Sequence, residues 1–260
     1  MPSIRWTIVT GASSGIGADL ARQFSAIGHN LILVARRRAK LQALADELRE
    51  RDRGIVEVME FDLTKAKAPQ ALFDAVQKLD VPVHTLVNNA GFGLRGDFVE
   101  LSIDEQLEMM NINMTALTKL THLFLPGMIE RGHGGIINVS STAAFQAGPH
   151  MAVYYASKAF VLSLSEALHE EVKPHGVTVT ALCPGPTESG FGERAGMDGT
   201  KLFQRGKMTS ERVAEIGVEG YRAGHAIVVT GIRNRFASQM SRLLPRFLTR
   251  RVAKSLQSSP

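Results

Sequence analysis

The sequence predicts an α/β protein whose parallel sheet of about seven strands is doubly wound, with helices on both faces. Two observations carry this prediction. Short β-branched runs alternate with longer helical patterns along the chain, which is typical of parallel strands joined by crossover helices. The composition, with 44% hydrophobic and 21% charged residues, lies near the globular average and excludes disordered and coiled-coil chains.

The β-branched runs place the strands in order. They lie at residues 7–10, 31–35, 55–61, 85–88, 136–140, 177–182 and 227–230. Patterns such as Leu41, Leu44 and Leu48 on one face predict the helices between them. These helices are expected near residues 15–27, 38–52, 66–79, 103–130, 152–174 and 209–223.

The layout of the chain predicts a single domain over residues 1–230. No linker rich in proline or serine interrupts it. The long stretch at about 184–208 carries six glycines and is typical of a lid over a binding site. Residues 231–260 are interpreted as a basic amphipathic extension of the same domain.

Cysteine and histidine usage excludes several kinds of site. Cys183 is the only cysteine, so an internal disulfide framework and zinc sites with several thiolates are excluded, and we expect a reducing, cytoplasmic setting. No histidine lies in a metal-binding pattern such as H-E-x-x-H, so no metal is expected. His169 and His175 are predicted to lie on the surface. His150 stays open as an alternative substrate contact.

A glycine-rich turn, TGASSGIG at residues 10–17, joins the first strand to the first helix. Glycines in such a turn let the backbone approach a pyrophosphate, and free N–H groups at the helix N-terminus hold its charge. The spacing G-x-x-x-G-x-G departs from the G-x-G-x-x-G fingerprint, and a turn of this kind can also be only a turn. The candidate cofactor contacts here are Gly11, Ser13, Ser14, Gly15, Ile16 and Gly17.

Further motifs follow in a fixed order: NNAG at 88–91, Asn113, Ser141, Tyr154-x-x-x-Lys158 and Pro184-Gly185. With this ordered set the sequence resembles the classical short-chain dehydrogenase/reductase family, whose glycine pattern is T-G-x-x-x-G-x-G. The resemblance covers residues 4 to about 230. It implies a Rossmann-type catalytic domain that binds a nicotinamide dinucleotide, and a homodimer or homotetramer paired through the helices near 103–130 and 152–174.

The chemistry of three of these residues fits the same family. Tyr154 and Lys158 are four residues apart and share a helix face, so the ammonium is expected to lower the phenol's pKa from ~10. Ser141, at a strand end, is placed to hydrogen-bond the oxygen of a carbonyl substrate. The family pattern and the spacing select Tyr154 and Ser141 over their neighbours Tyr155 and Ser140, which are interpreted as packing or turn residues.

The resemblance assigns further roles. It implies that Lys158 also holds the nicotinamide ribose and that Asn113 helps to carry protons from Tyr154 through a water. It implies that Asp62 touches the adenine amine and that Asn89 steadies the central strands. The remaining candidate cofactor contacts are Leu63, Ala90, Gly91, Pro184, Gly185 and Thr187.

The end of the second strand predicts NADP(H) in preference to NAD(H). No carboxylate stands at Ala35, the position where NAD-preferring relatives usually carry aspartate. Arg36 follows, with Arg37 and Ser14 as assistants, and arginine suits a 2′-phosphate. The alternative is that residues 36–38 only begin a solvated helix, but cations there oppose the helix dipole and therefore favour an anionic partner.

The substrate is expected to be a small carbonyl compound or secondary alcohol, and the sequence does not choose among them. Apolar residues of the lid would suit a hydrophobic substrate or only pack the lid itself. These residues are Phe191, Met197, Leu202, Phe203 and Met208. The predicted function is an NADP(H)-dependent oxidoreductase with Tyr154 as acid/base. The alternative is a non-catalytic dinucleotide-sensing protein, against which the complete set of four catalytic residues argues.

The basic charge of the chain is confined to its last part. Residues 221–260 hold eight bases and no acid, whereas the first 220 residues hold 22 bases against 25 acids. Apolar residues recur among these bases at helical spacing, which predicts a basic amphipathic pair of helices. They are Phe236, Met240, Leu243, Leu244, Phe247, Leu248, Val252 and Leu256. We expect this face to pack on its own domain or a second subunit, in preference to a membrane or acyl-carrier contact, and no nucleic acid is expected.

Overall fold

Seven parallel strands form one sheet in the computed structural model, which describes residues 5–52, 54–197, 199–204 and 206–257. The strands are Trp6–Thr10 (β1), Asn30–Ala35 (β2), Val56–Glu60 (β3), Val83–Asn88 (β4), Gly134–Val139 (β5), Val177–Cys183 (β6) and Ile227–Val229 (β7). Their order across the sheet is β3-β2-β1-β4-β5-β6-β7, so the order reverses between β1 and β4. The predicted fold class is confirmed. The outermost residues of the predicted domain and extension, 1–4 and 258–260, lie outside the described residues.

Helices cover both faces of this sheet. Those of eight or more residues are Gly15–Ala26 (α1), Arg38–Asp52 (α2), Ala68–Gln77 (α3), Ile103–Met110 (α4), Leu117–Arg131 (α5), Ala152–Val172 (α6), Ser210–Arg222 (α7), Ile232–Leu243 (α8) and Arg246–Gln257 (α9). The helix predicted near 103–130 is divided, because a π-helical segment, Asn111–Ala116, joins α4 to α5. Such segments are frequent at functional sites, and this one contains Asn113.

The core lies on both faces of the sheet, as unbroken apolar strands require. In β2, Leu31 and Leu33 pack in a cluster with α1 and α2, whereas Ile32 and Val34 pack in a second cluster with α3 and α5. This division follows from the strand itself, since successive side chains point to opposite faces. Fully burying each such side chain contributes about 1.5–3 kcal/mol. The two clusters therefore hold the strand ends, and the loops that follow them, in place.

The two histidines assigned to the surface have different outcomes. His175 is exposed, as predicted. His169 is buried, so the prediction is wrong for it. Its Nδ1 lies 2.8 Å from the carbonyl oxygen of Val179 in β6. The face of α6 that carries His169 packs on the sheet, and this contact with the strand satisfies the buried ring.

The stretch at about 184–208 has more regular structure than its glycines indicate. Two short strands, Thr187–Glu188 and Met208–Thr209, pair in parallel and join its two ends. One-turn helices lie between them at Phe191–Arg194 and Lys201–Gln204. Residues 198 and 205 lie outside the described residues. The predicted lid is therefore a loop whose two ends are held together by the pairing of these short strands.

The basic extension forms the predicted pair of helices, and α8 and α9 pack on the domain. The face that packs is the opposite of the predicted one. Ser241 donates a hydrogen bond to the Phe145 carbonyl oxygen (3.2 Å), and Gln257 Nε2 donates one to the Tyr155 hydroxyl (2.7 Å). Most of the apolar side chains expected to pack remain exposed: Phe236, Leu243, Leu244, Phe247, Leu248 and Val252. None of the helices in the described part of the chain is long and apolar enough to cross a bilayer.

Candidate active site

A cavity of about 950 Å³ opens at the carboxyl ends of the parallel strands. Its wall collects residues that follow six strands: Gly11, Arg36, Asp62, Gly91, Ser141 and Pro184. Open α/β sheets bind ligands at this edge, where the strand order reverses. The volume lies at the upper end for small-molecule sites, so a cofactor and a substrate can share it. Every candidate cofactor residue lines the cavity, and so do Ser141, Tyr154 and Lys158.

The glycine-rich turn is shaped by close contact with the loop that follows β4. Gly11 and Gly15 have positive φ angles of 67° and 55°. A Cβ on Gly17 would overlap Asn89 Nδ2 and would lie 2.5 Å from the Gly11 carbonyl oxygen. Asn89 Nδ2 donates a hydrogen bond to the Thr10 carbonyl oxygen at 2.9 Å. The amide of Asn89 thus ties the turn to the central strands.

The first turn of α1 faces the cavity through this glycine turn. Ser14 precedes the helix in extended conformation, its side chain makes no capping hydrogen bond, and no acidic residue lies in the first turn. The N–H groups and the positive end of the helix dipole are thus left for an anion. The cradle fits the pyrophosphate of a dinucleotide.

Cationic side chains line the cavity where β2 ends and α2 begins. The Arg37 guanidinium donates hydrogen bonds to the hydroxyls of Ser13 (2.8 Å) and Ser14 (2.7 Å). Arg36 and Lys40 line the cavity beside it. The structure therefore brings the predicted assistants Arg37 and Ser14 into contact. Lys40 was not predicted from the sequence to contact a cofactor, although it lies only four residues, about one helical turn, beyond Arg36.

The carboxylate of Asp62 is fixed at the same end of the cavity. Its Oδ1 accepts hydrogen bonds from the backbone N–H (3.1 Å) and the hydroxyl (2.8 Å) of Thr64. Leu63 between them is buried in the core. The loop after β3 therefore presents a fixed acceptor to whatever binds there, as the adenine contact would require.

Tyr154, Ser141 and Lys158 line the same cavity as the glycine turn. The Tyr154 side chain is buried, and Ser141 is near enough to influence its pKa. Ser141 Oγ accepts a hydrogen bond from the Ala143 N–H at 3.1 Å and donates one to the Pro184 carbonyl oxygen at 3.4 Å. Lys158 Nζ lies 5.8 Å from the centre of the Tyr154 ring and donates a hydrogen bond to the Val139 carbonyl oxygen at 2.8 Å. One turn of α6 and the end of β5 thus position all three groups.

The electrostatics of this group differ from the expectation. Burial raises the pKa of Tyr154, and the nearby Ser141 hydroxyl opposes this rise only in part. Burial also lowers the pKa of Lys158 to about 8. The predicted lowering of the phenol's pKa by Lys158 is wrong for this structure: desolvation of the phenolate is the largest cause of the shift, and Lys158 is not among the groups that change this pKa. The phenol is protonated at neutral pH.

The neighbouring residues have other partners. The Tyr155 hydroxyl accepts the hydrogen bond from Gln257, and Ser140 Oγ donates to the Lys158 carbonyl oxygen at 2.8 Å. Tyr155 is buried among apolar side chains. Both residues also line the cavity, so the choice of Tyr154 and Ser141 stays a prediction.

Asn113 is close to the site without lining the cavity. Its Nδ2 donates hydrogen bonds to the Phe92 carbonyl oxygen and to Ser157 Oγ, each at 3.0 Å, and its Oδ1 accepts one from the Phe92 N–H at 3.2 Å. The π-helical segment turns this amide toward the loop after β4. Asn113 therefore joins that loop to α6, and its part in a proton relay stays a prediction.

His150 lies apart from the main cavity. Its Nδ1 is 2.7 Å from Asp97 Oδ1, and its ring borders a separate small pocket. The backbone of His150 has a positive φ of 63°, which fits a turn position. The alternative that His150 contacts a substrate in the main cavity has no support in this arrangement.

Several lining residues have no signal in the sequence. Arg194, in the lid, lies over the Phe92 ring at 4.0 Å. Phe92 and Met151 also line the cavity, beside four lid residues that the sequence did indicate, Phe191, Met197, Leu202 and Phe203, and the tail residue Leu256. The inner sides of α8 and α9 contribute Asn234, Ala237, Ser238, Ser241 and Ala253. No motif marks these tail residues, and only the packing of the tail brings them to the site. Among the described residues, no three His, Cys, Asp or Glu side chains are grouped to hold a metal ion.

Comparison with known proteins gives consistent matches. The solved short-chain dehydrogenase from Sphingobium yanoikuyae in complex with NADPH is 32% identical, with a TM-score of 0.83, and the match covers 92% of this chain and 94% of that one. A very-long-chain 3-oxoacyl-CoA reductase of Coprinopsis cinerea is 36% identical over 67% of this chain. The human protein named inactive hydroxysteroid dehydrogenase-like protein 1 is 32% identical over 69% of this chain. The match spans only about half the length of these two curated relatives, 52% and 55%.

The family match covers most of the domain built above. The pattern of the family described as short chain dehydrogenase matches residues 5–198. This range includes the glycine turn, the loop after β4 and the three residues that meet at the end of β5. The chain belongs to the short-chain dehydrogenase family of nicotinamide-dependent oxidoreductases.

Proposed function

We propose that this protein is an NADP(H)-dependent oxidoreductase that interconverts a carbonyl compound and its secondary alcohol, with Tyr154 as the acid/base. The observation that carries the proposal is that Tyr154, Ser141 and Lys158 line the same cavity as the glycine turn. A panel of ketones and aldehydes with NADPH, followed at the nicotinamide absorbance, tests it.

The nicotinamide group, when bound, supplies or accepts the hydride. The chain's own residues handle the proton. Because the Tyr154 phenol is protonated at neutral pH, it donates its proton to the substrate oxygen in the direction of reduction. Ser141 donates a second hydrogen bond to that oxygen, where negative charge develops. The charged Lys158 stabilises the phenolate that is left behind.

The preference for NADP(H) is proposed from charge. Arg36, Arg37 and Lys40 line the cavity at the end of β2, and Ala35 offers no carboxylate to a ribose hydroxyl. A 2′-phosphate gains charge-assisted hydrogen bonds from such a group. The NADPH complex of the Sphingobium yanoikuyae relative supports this choice. Measuring the dissociation constants of NADPH and NADH side by side tests it.

The substrate is proposed to be a ketone or alcohol with a hydrophobic body. The cavity beyond Tyr154 is apolar, with Phe92, Met151 and Phe203 among its lining residues. One curated relative is named very-long-chain 3-oxoacyl-CoA reductase, which is a name for a reductase of long apolar chains. A series of ketones of increasing chain length tests the proposal, because kcat/KM should rise with apolar length.

A second candidate is a dinucleotide-sensing protein without turnover. One relative at 32% identity carries the word inactive in its name. The observation against this candidate is that Ser141, Tyr154 and Lys158 are all present and in mutual reach here. Tight NADPH binding without turnover of any compound in the panel would favour the sensor.

Assembly into a homodimer or homotetramer is also proposed. Exposed apolar side chains lie on α4 and α6, among them Ile103, Leu107 and Phe160. Such side chains can pair with their own copies across a two-fold axis. Sedimentation equilibrium of the full chain tests the proposal, with a monomer as the contradicting result.

A further inference from the structure

The outer side of the C-terminal helices carries a large exposed apolar surface. Its members are Ile232, Phe236, Leu243, Leu244, Phe247, Leu248 and Val252, which we name the apolar tail face. Ile232 is 90% exposed, Leu243 79% and Phe236 68%. Contiguous exposed apolar patches of this kind mark interaction sites on soluble domains.

This surface results from an inverted packing arrangement. An amphipathic helix on a domain normally buries its apolar side. Here the buried side is small or polar, with Ser238, Thr249, Ala253 and Gln257 among its members. Hydrogen bonds from Ser241 and Gln257 to the domain hold the pair in this orientation. The helices are therefore attached to the domain by one side and offer the other.

The charges around the apolar tail face favour an anionic lipid surface over a second copy of the chain as its partner. The apolar tail face is bordered by exposed bases, Arg233, Arg235, Arg246, Arg250, Arg251 and Lys254, and no acid occurs after residue 220. A second copy paired symmetrically on this face would bring like charges together, which is unfavourable. An anionic lipid surface satisfies both the bases and the apolar side chains.

We propose that the apolar tail face docks on an anionic membrane surface. Phe236, Leu243 and Phe247 would enter the boundary between headgroups and acyl chains, and the arginines would pair with lipid phosphates. The protein would lie on the membrane and not cross it.

The docking surface backs onto the cavity. Ala237 and Ser241 of α8 and Ala253 and Leu256 of α9 line the cavity from the inner side of the same helices. One helix is only about 10–12 Å thick, so the membrane surface would lie close to the apolar end of the cavity. This part rests on the proposed function, because it assigns to the enzyme a lipid-soluble carbonyl substrate taken from the membrane.

Vesicle flotation of the full chain tests the docking itself. The protein should float with vesicles of phosphatidylglycerol and phosphatidylcholine, and binding should fall steeply in pure phosphatidylcholine or in high salt. Replacing Arg246, Arg250 and Arg251 by Gln should lower the partition coefficient about a hundredfold, since each base near the surface contributes about 1 kcal/mol. Absence of flotation, or equal binding to both vesicle types, would overturn the proposal.

A matched pair of apolar variants separates the membrane from a protein partner. Phe236→Ser with Phe247→Ser should abolish flotation and leave the sedimentation coefficient and the turnover of a water-soluble ketone unchanged. Ile27→Ser with Ile55→Ser, which alters exposed apolar residues outside the tail, should float like the wild type. If the tail variant instead dissociates an oligomer, the face joins two copies and the proposal is wrong. If the wild-type protein floats with the vesicles but turns over no ketone, the proposed function is contradicted and the membrane docking is not.

Discussion

At the scale of single residues, the ordered motifs predicted the right side chains and the wrong electrostatics. Tyr154 and Ser141 meet as the motif spacing indicates. The pKa of Tyr154 is raised and not lowered, because the sequence reveals which groups are near but not how completely they are buried. Arg194 and Lys40 line the cavity without a motif. Motif spacing therefore predicts which residues form the site better than it predicts their pKa values.

The lowered pKa of Lys158 predicts a pH limb in the reduction rate. Its ammonium is charged below about pH 8 and neutral above it. The rate of ketone reduction should therefore be constant below pH 8 and decline toward pH 10, while the phenol stays protonated. The measurement is kcat/KM against pH, with folding monitored by circular dichroism. A profile that stays level to pH 10 would show that the charge of Lys158 is not needed.

The role of Arg36 predicts a loss that depends on the cofactor. Arg36→Ala should weaken NADPH binding roughly tenfold to a hundredfold, because a charge-assisted hydrogen bond is worth about 1.5–3 kcal/mol. NADH should be affected little. Arg38→Ala is the matched control, since Arg38 is exposed and does not line the cavity. Equal losses for NADPH and NADH on titration calorimetry would rule out a phosphate contact at Arg36.

At the scale of elements, the sequence predicted the strands of the sheet, but it did not predict the π-helical segment or the orientation of the C-terminal helices. Strands such as β2 are continuous apolar runs buried on both faces, so pattern alone locates them. The π-helical segment at residues 111–116 has no compositional signal, and within it Asn113 makes hydrogen bonds to the distant backbone of Phe92. The tail was predicted with its apolar side inward. The expectation that an amphipathic helix buries its apolar side fails here, because the domain offers polar partners to these helices. These partners are the Phe145 carbonyl and the Tyr155 hydroxyl.

The glycine turn predicts a steric effect at one position. Gly17→Ala should destabilise the protein by about 1–3 kcal/mol, the typical cost of overpacking, because the new Cβ would overlap the Asn89 amide and approach the Gly11 carbonyl. NADPH affinity should fall with it. Gly199→Ala serves as control, since no atom of the described residues outside its chain neighbours lies within 4 Å of its Cβ position. Thermal melts in which the two variants behave alike would contradict the packing of α1 on the loop after β4.

At the scale of the whole molecule, buried histidines predict a loss of stability in acid. Burial, aided by the nearby His84, lowers the pKa of His29 to about 4, and its Nδ1 lies 2.7 Å from Thr7 Oγ1. The unfolded chain binds the proton near pH 6.5, so the stability from the neutral ring is full above pH 6.5 and is lost as the pH falls toward 4. The loss amounts to about 3 kcal/mol at most.

Thermal melts between pH 7 and pH 4.5 check this effect. The wild-type Tm should fall over this range, and His29→Gln should show a smaller fall, although it starts from a lower Tm. His175→Gln, at an exposed position, should follow the wild type. Parallel curves for all three proteins would show that His29 does not couple folding to pH.

The central claim is that Tyr154 transfers the proton in a cavity that binds NADP(H). The most direct measurement compares Tyr154→Phe with Tyr155→Phe in NADPH-dependent ketone reduction and in NADPH binding. Tyr154→Phe should lower kcat by about 10²–10⁴-fold with cofactor affinity nearly unchanged, and Tyr155→Phe should keep most of the activity. Full activity of Tyr154→Phe, or the opposite ranking of the two variants, would contradict the account.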